Sequence, residues 1–436
     1  MNKLIRFWFD LRASFWFLPS LMVSLSIALA LVLIAIDSAH FSQHLKQWPR
    51  MFGVGAEGAR QMLGTLAGSM MTVMGISFSM TLLALVQAST QYTSRVLRTF
   101  MRSRVTQTTL GVFASIFVYC LIVLRTIRGT AGVDEFVLFI AFIMSLVGVA
   151  VLIYFIHHIA SSIQASSIIA LVAKETYAAI DVLLPHTLCP TLGKQHNLAV
   201  ILAEHDKRSW YPIAAHKSGY IQSINHAELL KLAEDNKTIV KMEHAIGAFA
   251  VKDTALVSLA LTFAPTQKTI AAFNQAYSIS RHRTVAQDPA FGIRQIVDIA
   301  LKALSPGVND TSTAVMCIDY LTSIMARLVN RQFPPRYRYE QQTLRVVAIE
   351  PSFEGLLVEA FEQIRTNAIT NVAILARLLS ALETIGSLTT TPSQFHALNE
   401  QLHCLDELIE RNIKSSHDST WLKNRLTAVA KTLKPH

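Results

Sequence analysis

Two sets of polar residues stand at spacings that could do chemistry. The first runs along residues 76–104, ISFSMTLLALVQASTQYTSRVLRTFMRSR, and comprises Ser77, Thr81, Gln91, Arg95, Arg98 and Arg102. On one continuous helix these side chains fall within roughly 60° of a single line. Two interpretations stand: a water-lined path with a basic mouth that favours anions, or helix packing through small and hydroxyl-bearing residues.

The second set lies in the C-terminal half, and its members are Arg283, Asp288, Arg294, Asp298, Asn309 and Asp310. Asp288 and Asp310 each stand where a helix begins, and a helix N-terminus presents free backbone N–H groups that bind phosphate or carboxylate. Arg294 and Asp298 are four residues apart and can pair on one helix face. The sequence therefore predicts either a site for a small anion or a set of caps and ion pairs.

Motifs that carry enzyme chemistry are missing from the sequence, so we expect neither catalytic activity nor a cofactor. There is no phosphate-binding loop, HExxH helix or GxSxG elbow. A metal site needs three or four ligands at defined spacing. Two histidine groups do not meet this requirement: His40 with His44, and His186 with Cys189 and His196. We expect no metal site.

The composition places part of the chain in lipid. Of 436 residues, 52% are hydrophobic and 16% charged, whereas soluble chains carry about a quarter charged residues. Uncharged stretches at 15–36, 62–86, 105–124 and 136–156 each approach the roughly 20 residues that cross a bilayer. The sequence predicts a membrane domain of four transmembrane helices over residues 1–160.

Basic residues orient these spans. Arg95, Arg98, Arg102 and Arg104 crowd the link between the second and third spans, and the positive-inside rule then predicts that both termini are cytoplasmic. The excess of positive charge is seven over residues 1–160 and only three over 161–436. The excess flanks the membrane, where anionic lipid explains it, so we expect no nucleic-acid partner. Four scattered cysteines fit a reducing cytosol.

Beyond the membrane domain, the pattern predicts three parts: a helical stalk over 161–184, a small β-rich module over 198–263 and a mainly helical domain over 264–436. Short apolar runs such as WYPIAA, GYIQSI, TIVKM and ALVSLALTF are typical of strands. Asp288 followed by Pro289 predicts the start of one helix, and Asn309-Asp310 caps the next. The expected fold class is a helical membrane domain joined to a cytosolic α+β domain.

Three stretches together resemble a bacterial family known as domain of unknown function 2254. They are FWFLPSLMVSLSIALAL, FSMTLLALVQASTQYTSRVLRTFMRSRVTQTTLGVF and QDPAFGIRQIVDIALKALSPGVNDTSTA. The resemblance spans nearly the whole chain and implies a bacterial inner-membrane protein with four spans and a cytosolic C-terminal domain. It implies no activity.

This chain departs from the family pattern at three places. Thr93-Ser94-Arg95 lacks the family's proline, Thr311 follows Asn-Asp where the family often has proline, and the segment 246–250 keeps its glycine but lacks the family's aspartate.

Two functions remain open at this stage. One is a homo-oligomeric, channel-like or transport protein with a cytosolic gating or sensing domain. The other is a non-conducting scaffold or sensor whose cytosolic domain binds a protein or a small anion.

Overall fold

The structure is a computed structural model, and it describes residues 16–35, 55–91, 104–127, 135–162, 164–184, 209–261, 263–340 and 343–434. Within these ranges there are thirteen α-helices and eight β-strands. The chain divides into two compact units, residues 1–168 and 169–436. The β-rich module and the helical domain, which the sequence separates near residue 263, belong to the same unit.

The first unit consists of apolar helices: α1 (Phe17–Ala35), α2 (Ala56–Gln91), α3 (Arg104–Thr126) and α4 (Glu135–Ser162). Each of the four predicted spans falls on one of these helices, and all four are long and apolar enough to cross a membrane. The side chains of Trp16, Leu25, Leu83 and Ile153 are mostly exposed. An outward apolar surface of this kind is what lipid contact requires.

Helix α3 is the centre of this unit, because α1, α2 and α4 all pack against it. Its Phe113, Ile116 and Tyr119 are almost fully buried. Two hydrogen bonds join neighbouring helices: Tyr119 donates to the Val137 carbonyl at 3.0 Å, and Ser26 donates to the Ser115 carbonyl at 2.7 Å. Such polar contacts hold helices together where the hydrophobic effect cannot.

A fifth helix, α9 (Thr311–Val329), also meets the length and hydropathy of a membrane span. The sequence assigns it to the helical cytosolic domain, so the candidate spans outnumber the predicted four by one. Unlike α1–α4, this helix lies in the second unit and carries Asp319 and Arg327, which both form ion pairs.

Two helices, not one, cover the fourth predicted span and the predicted stalk. Helix α4 ends at Ser162, and α5 (Ala165–Leu183) begins three residues later. Ile169, Ala173 and Ile180 of α5 are fully buried. This helix is therefore a packed element of the second unit along most of its length.

Two sheets form the β part of the second unit. The larger has the strand order β1 (Trp210–Ala214), β5 (Ala255–Ala260), β3 (Val240–Met242), β8 (Thr343–Val347), β7 (Tyr337–Glu340). Its strands are antiparallel except for the parallel pair β3–β8. The smaller sheet has the antiparallel order β4 (Phe249–Ala250), β2 (Gly219–Ile224), β6 (Tyr277–Ser280). Strands β6, β7 and β8 come from the part predicted as mainly helical.

Two short helices close this core, α6 (His226–Asp235) and α7 (Gln267–Gln275). Helix α6 begins where the side chain of Asn225 accepts a hydrogen bond from the Glu228 amide at 3.1 Å. Its Leu229 packs with Ile221, Val257 and Phe273 in one apolar cluster.

The rest of the second unit is helical: α8 (Pro289–Ala303), α9, α10 (Phe353–Asn367), α11 (Val372–Gly386), α12 (Pro392–Asn412) and α13 (Ser416–Thr432). Capping side chains account for most of the starts, since Asp288, Asp310, Ser352, Asn371 and Ser415 each accept a hydrogen bond from the first turn of the helix that follows. Each of these helices buries one apolar face against its neighbours, as their amphipathic patterns predict.

Candidate functional site

The polar stripe of α2 faces the interior of the first unit over its described part. Ser77 is 1% exposed and Ala84 is 2% exposed, and Ala84 packs against Phe155 and Ile159 of α4. The Thr81 hydroxyl donates to the Ser77 carbonyl at 2.8 Å, one turn back on the same helix. Between Ser77 and Ala84 the stripe therefore contacts protein.

The basic end of the stripe cannot be placed in the same way. Gln91 is the last residue of α2, and its side chain lies outside the described residues, as do Arg95, Arg98 and Arg102. The predicted basic mouth thus stays a prediction.

The opposite face of α2 is lined with small residues and is exposed. A Cβ atom added to Gly64, Gly68 or Gly75 would meet nothing within 4 Å. Hydroxyls on this face bond back to their own helix: Thr65 donates to the Gln61 carbonyl at 2.7 Å and Thr72 to the Gly68 carbonyl at 3.0 Å. A shallow groove of about 490 Å³ follows the same face, lined by Met71, Thr72, Gly75, Ile76, Ser79, Met80 and Leu83.

In the second unit, Arg283 and Asp288 form a nearly buried ion pair. Arg283 donates from Nε at 2.9 Å and from Nη2 at 2.7 Å to the same oxygen, Oδ2, of Asp288. The other carboxylate oxygen accepts from the Phe291 amide at 3.1 Å and so caps α8. The Arg283 guanidinium also lies over the Phe291 ring, 4.9 Å from its centre. The predicted cap is confirmed, and Arg283 is added to it.

Gly247 closes this pair from the side. Its φ of +85° is the left-handed conformation that glycine adopts without strain, and an added Cβ would collide with Asp288 Oδ2 and with the Arg283 guanidinium. Burial raises the pKa of the Asp288 carboxyl, while Arg283 and the Phe291 amide oppose that shift. With both carboxylate oxygens occupied and backbone against the pair, the arrangement is that of a structural contact.

Arg294 and Asp298 form the ion pair that their spacing predicts. Arg294 Nε donates to Asp298 Oδ1 at 2.8 Å, and its Nη1 lies 3.5 Å from Glu359 Oε1 of α10. The guanidinium therefore bridges α8 and α10. Since the carboxylates of Asp298 and Glu359 already balance its charge, Arg294 would attract a further anion only weakly.

Asn309 and Asp310 form the turn between α8 and α9. Asn309 has a φ of +48°, and Asp310 caps α9 by accepting from the Thr313 amide at 3.0 Å and from the Thr313 hydroxyl at 2.6 Å. These bonds lower the pKa of the exposed Asp310 carboxyl. Helix α8 separates this turn from Asp288, and its 15 residues span about 22 Å. The predicted cluster is thus three separate contacts.

Two networks of ion pairs in the second unit could not be predicted from the sequence, because their partners are far apart in the chain. Asp181 of α5 accepts from Arg327 Nε at 2.9 Å and also binds Arg331, whose side chain is 5% exposed. Glu350 binds Arg338, and His226 Nε2 lies 3.9 Å from the same carboxylate. Neither network has a local sequence signal, since their members are separated by between 12 and 150 residues.

Metal binding finds no support in the described part of the chain, where no group of three or more histidine, cysteine or acidic side chains converges. Two histidine groups were considered as metal ligands from the sequence, near residues 40–44 and 186–196. Both lie outside the described residues.

Comparisons with known proteins agree with the membrane character of the chain. A family model described as "Predicted membrane protein (DUF2254)" matches residues 12–384. Uncharacterized protein Mb1321c of Mycobacterium bovis is 28% identical over 419 residues, which cover 94% of this chain and 78% of the relative. Uncharacterized protein Rv1290c of Mycobacterium tuberculosis matches with the same identity and coverage. No solved structure matches.

Proposed function

This chain belongs to the DUF2254 family of predicted membrane proteins, and from that premise we propose that it is a non-conducting membrane scaffold or sensor. In this proposal the four helices α1–α4 anchor the chain in the inner membrane of a bacterium. The second unit then lies in the cytosol and binds a protein partner or a small anion. No catalytic step and no cofactor form part of the proposal.

The burial of the α2 stripe carries the proposal. A path along Ser77 and Thr81 would need water beside these side chains, whereas Ser77 is 1% exposed within the helix packing of the first unit. The apolar neighbours Phe155 and Ile159 of α4 fill the space beside Ala84. Packing is the role that small and hydroxyl-bearing residues most often serve in membrane helices.

The ion pairs of helix α9 support the proposal that the second unit is an aqueous domain. Its Asp319 binds Arg377 of α11, and its Arg327 donates from Nε and Nη2 to the two carboxylate oxygens of Asp181 of α5. Arg327 and Asp181 are each about 40% exposed, and charges at the centre of a bilayer are rare and costly. These ion pairs favour α9 as a core helix of an aqueous domain over α9 as a fifth span.

Self-association through the outer face of α2 is a further part of the proposal. Gly64, Gly68 and Gly75 are exposed on a helix long and apolar enough to span a membrane, and a Cβ on any of them would meet none of the described residues within 4 Å. Gly64 and Gly68 form a GxxxG pair, the spacing that allows two helix backbones to approach closely. A second copy of the chain is the occupant that fits this face.

The decisive experiment measures conductance. Purified full-length protein in liposomes should pass chloride no faster than protein-free liposomes in a fluorescence-quench efflux assay. A chloride flux above that of protein-free liposomes would overturn the proposal. A flux that depends on Arg95, Arg98 and Arg102 being basic, tested by their replacement with glutamate, would favour the channel-like alternative.

Topology is tested separately. Reporter fusions that are active only in the cytoplasm should be active when joined at Arg12, at Ser162 and at Pro435, and inactive when joined near residues 45 and 130. If α9 were a span, fusions on its two sides, near residues 308 and 333, would report opposite compartments. The scaffold proposal requires both to be cytoplasmic.

Oligomeric state is tested by two substitutions at one position. G68I places a large side chain on the outer face of α2, while G68A keeps that face small. Because a Cβ at Gly68 would meet nothing within the protomer, neither substitution should disturb the fold. Cross-linking in native membranes should detect dimers or larger forms for the wild type and G68A, and their loss for G68I.

A further inference from the structure

One end of the smaller sheet gathers exposed basic and apolar side chains. The antiparallel register pairs Gly219 of β2 with Ala250 of β4, and Tyr220 with Ser280 of β6. Residues just before β2, just after β4 and just after β6 therefore meet at the same end. We call this set the basic tip, and it comprises Lys217, Phe249, Val251, Lys252 and Arg281.

Close backbone contacts hold the tip together. The Lys252 amide donates to the Ser218 hydroxyl at 2.9 Å, which joins the β4 side to the turn before β2. Gly219 lies so close to β6 that an added Cβ would be 2.6 Å from the Ser280 carbonyl oxygen. The Tyr220 and Phe249 rings meet edge to face with their centres 5.1 Å apart. These contacts fix the backbone that carries the five side chains of the basic tip.

The tip combines charge and apolar surface. Phe249 is 50% exposed and Val251 is 49% exposed, although Ala250 between them is fully buried. Lys217, Lys252 and Arg281 are exposed beside them, as are His216 and His282. Asp253 is the acidic residue of the tip, and it lies 3.9 Å from Lys252 Nζ. Three cations against one carboxylate leave the tip positive.

We propose that the basic tip binds the anionic surface of the lipid bilayer. Basic residues near an anionic headgroup layer each strengthen membrane binding, and apolar side chains beside them enter the boundary between headgroups and acyl chains. The second unit is covalently joined to helices long and apolar enough to cross a membrane, so a lipid surface is available to it within the reach of its own chain. Charge complementarity and the interleaved apolar side chains favour lipid over an acidic protein, which would not require Phe249 and Val251 to be bare.

The test uses the full chain in lipid nanodiscs, with a nitroxide spin label at V251C in a C189S/C404S background. Cys120 and Cys317 are buried and remain unchanged. Accessibility of the label to dissolved oxygen, which concentrates in lipid, is compared with its accessibility to a water-soluble nickel chelate. A label at W421C, an exposed apolar position on α13, serves as the reference for a site in water.

In phosphatidylglycerol nanodiscs, the label at position 251 should be shielded from the nickel chelate and accessible to oxygen, relative to the label at position 421. This difference should shrink in phosphatidylcholine nanodiscs and at high salt, because salt screens charges beyond about 10 Å at 0.1 M. Each basic residue removed from the tip should lower the partition of the label by about fivefold.

A matched pair of charge reversals completes the test. K217E/K252E/R281E changes the tip, whereas K231E/K237E/K268E makes the same change in net charge at exposed positions elsewhere in the second unit. Loss of shielding in the first variant and not in the second supports the proposal. Equal exposure of the label to the nickel chelate in both lipids, as expected if the tip awaits an acidic protein, overturns it. An equal effect of both triple variants overturns it as well.

Discussion

Gly292 of α8 lies against Thr176 of α5 with no room for a methyl group between them. A Cβ at position 292 would overlap Thr176 Oγ1 and stand 3.0 Å from Thr176 Cβ. Thr176 is fully buried, and its hydroxyl donates to the Val172 carbonyl at 2.7 Å. Within the second unit, α5 and α8 can therefore pack this closely because position 292 carries no side chain.

We expect G292A to lower the stability of the second unit. Overpacking costs about 1–3 kcal/mol, and the better helix propensity of alanine returns up to about 1 kcal/mol, so the net loss should be about 1–2 kcal/mol. Thermal unfolding of the full chain in detergent, followed by circular dichroism, measures it.

Two variants control this prediction. G307A adds the same methyl group where it would meet nothing within 4 Å, and it should leave the unfolding temperature unchanged. T176A in the G292A background removes the overlapping atoms and should recover most of the loss. A G292A variant as stable as the wild type would contradict the close packing of α5 on α8.

The two capping residues Asp288 and Asp310 should contribute different amounts to the free energy of unfolding. D288A removes the cap of α8 and leaves Arg283 without its partner in a largely buried place, and the expected cost is about 3–5 kcal/mol. D310A removes an exposed cap of α9, and the expected cost is about 1 kcal/mol. Urea unfolding of the two variants side by side measures the difference, and equal midpoints would contradict it.

Much of the fold follows from local sequence patterns. The four apolar stretches predict α1–α4, and the capping signals at Asp288 and Asp310 predict the starts of α8 and α9. The apolar runs WYPIAA, GYIQSI, TIVKM and ALVSLALTF predict the strands β1, β2, β3 and β5. Each of these features depends on residues that are neighbours in the sequence, where period and capping chemistry act directly.

Strand pairing across long distances could not be predicted in the same way. Strand β4 has two residues, and β6 has the sequence YSIS directly after α7, so neither has a periodic signal of its own. Their pairing with β2 joins residues that are between 29 and 60 positions apart. The six candidate residues of the C-terminal half form three separate contacts for a related reason, since the length of α8 holds its two caps apart.

The stripe on α2 shows what periodicity can and cannot predict about a helix face. Periodicity predicts that Ser77 and Thr81 share one face, but it cannot say what that face meets. Ser77 is buried, and Ala84, two turns further along, packs against α4; both facts depend on the packing of the whole first unit.

Substitutions at Ser77 should separate packing from conduction. Its hydroxyl is buried without a hydrogen-bond partner in the described structure, and an unsatisfied buried hydroxyl costs about 1–3 kcal/mol. S77A should therefore be neutral or stabilising, while S77L should overpack the bundle and lower its thermal stability. S79L, at an exposed position two residues on, should be tolerated. Size-exclusion chromatography after heating in detergent measures all three, and a destabilised S77A would contradict the packing role.

His226 should make the second unit less stable in mild acid. Burial, together with the nearby Arg338 guanidinium, lowers the pKa of its imidazole from 6.5 to about 4. An unfolded histidine takes up its proton near pH 6.5, so the unfolded state gains protons first. The stability contributed by this residue is complete above that pH and is lost as the pH falls toward 4. At pH 5 the loss should be about 2 kcal/mol.

H226Q tests this prediction, because glutamine cannot titrate. The difference in unfolding free energy between the wild type and H226Q should change by about 2 kcal/mol between pH 7 and pH 5. Taking the difference removes the titration of other groups, including Glu350, whose pKa is raised by burial. A difference that stays constant between pH 7 and pH 5 would show that the imidazole of His226 is solvated in the folded protein.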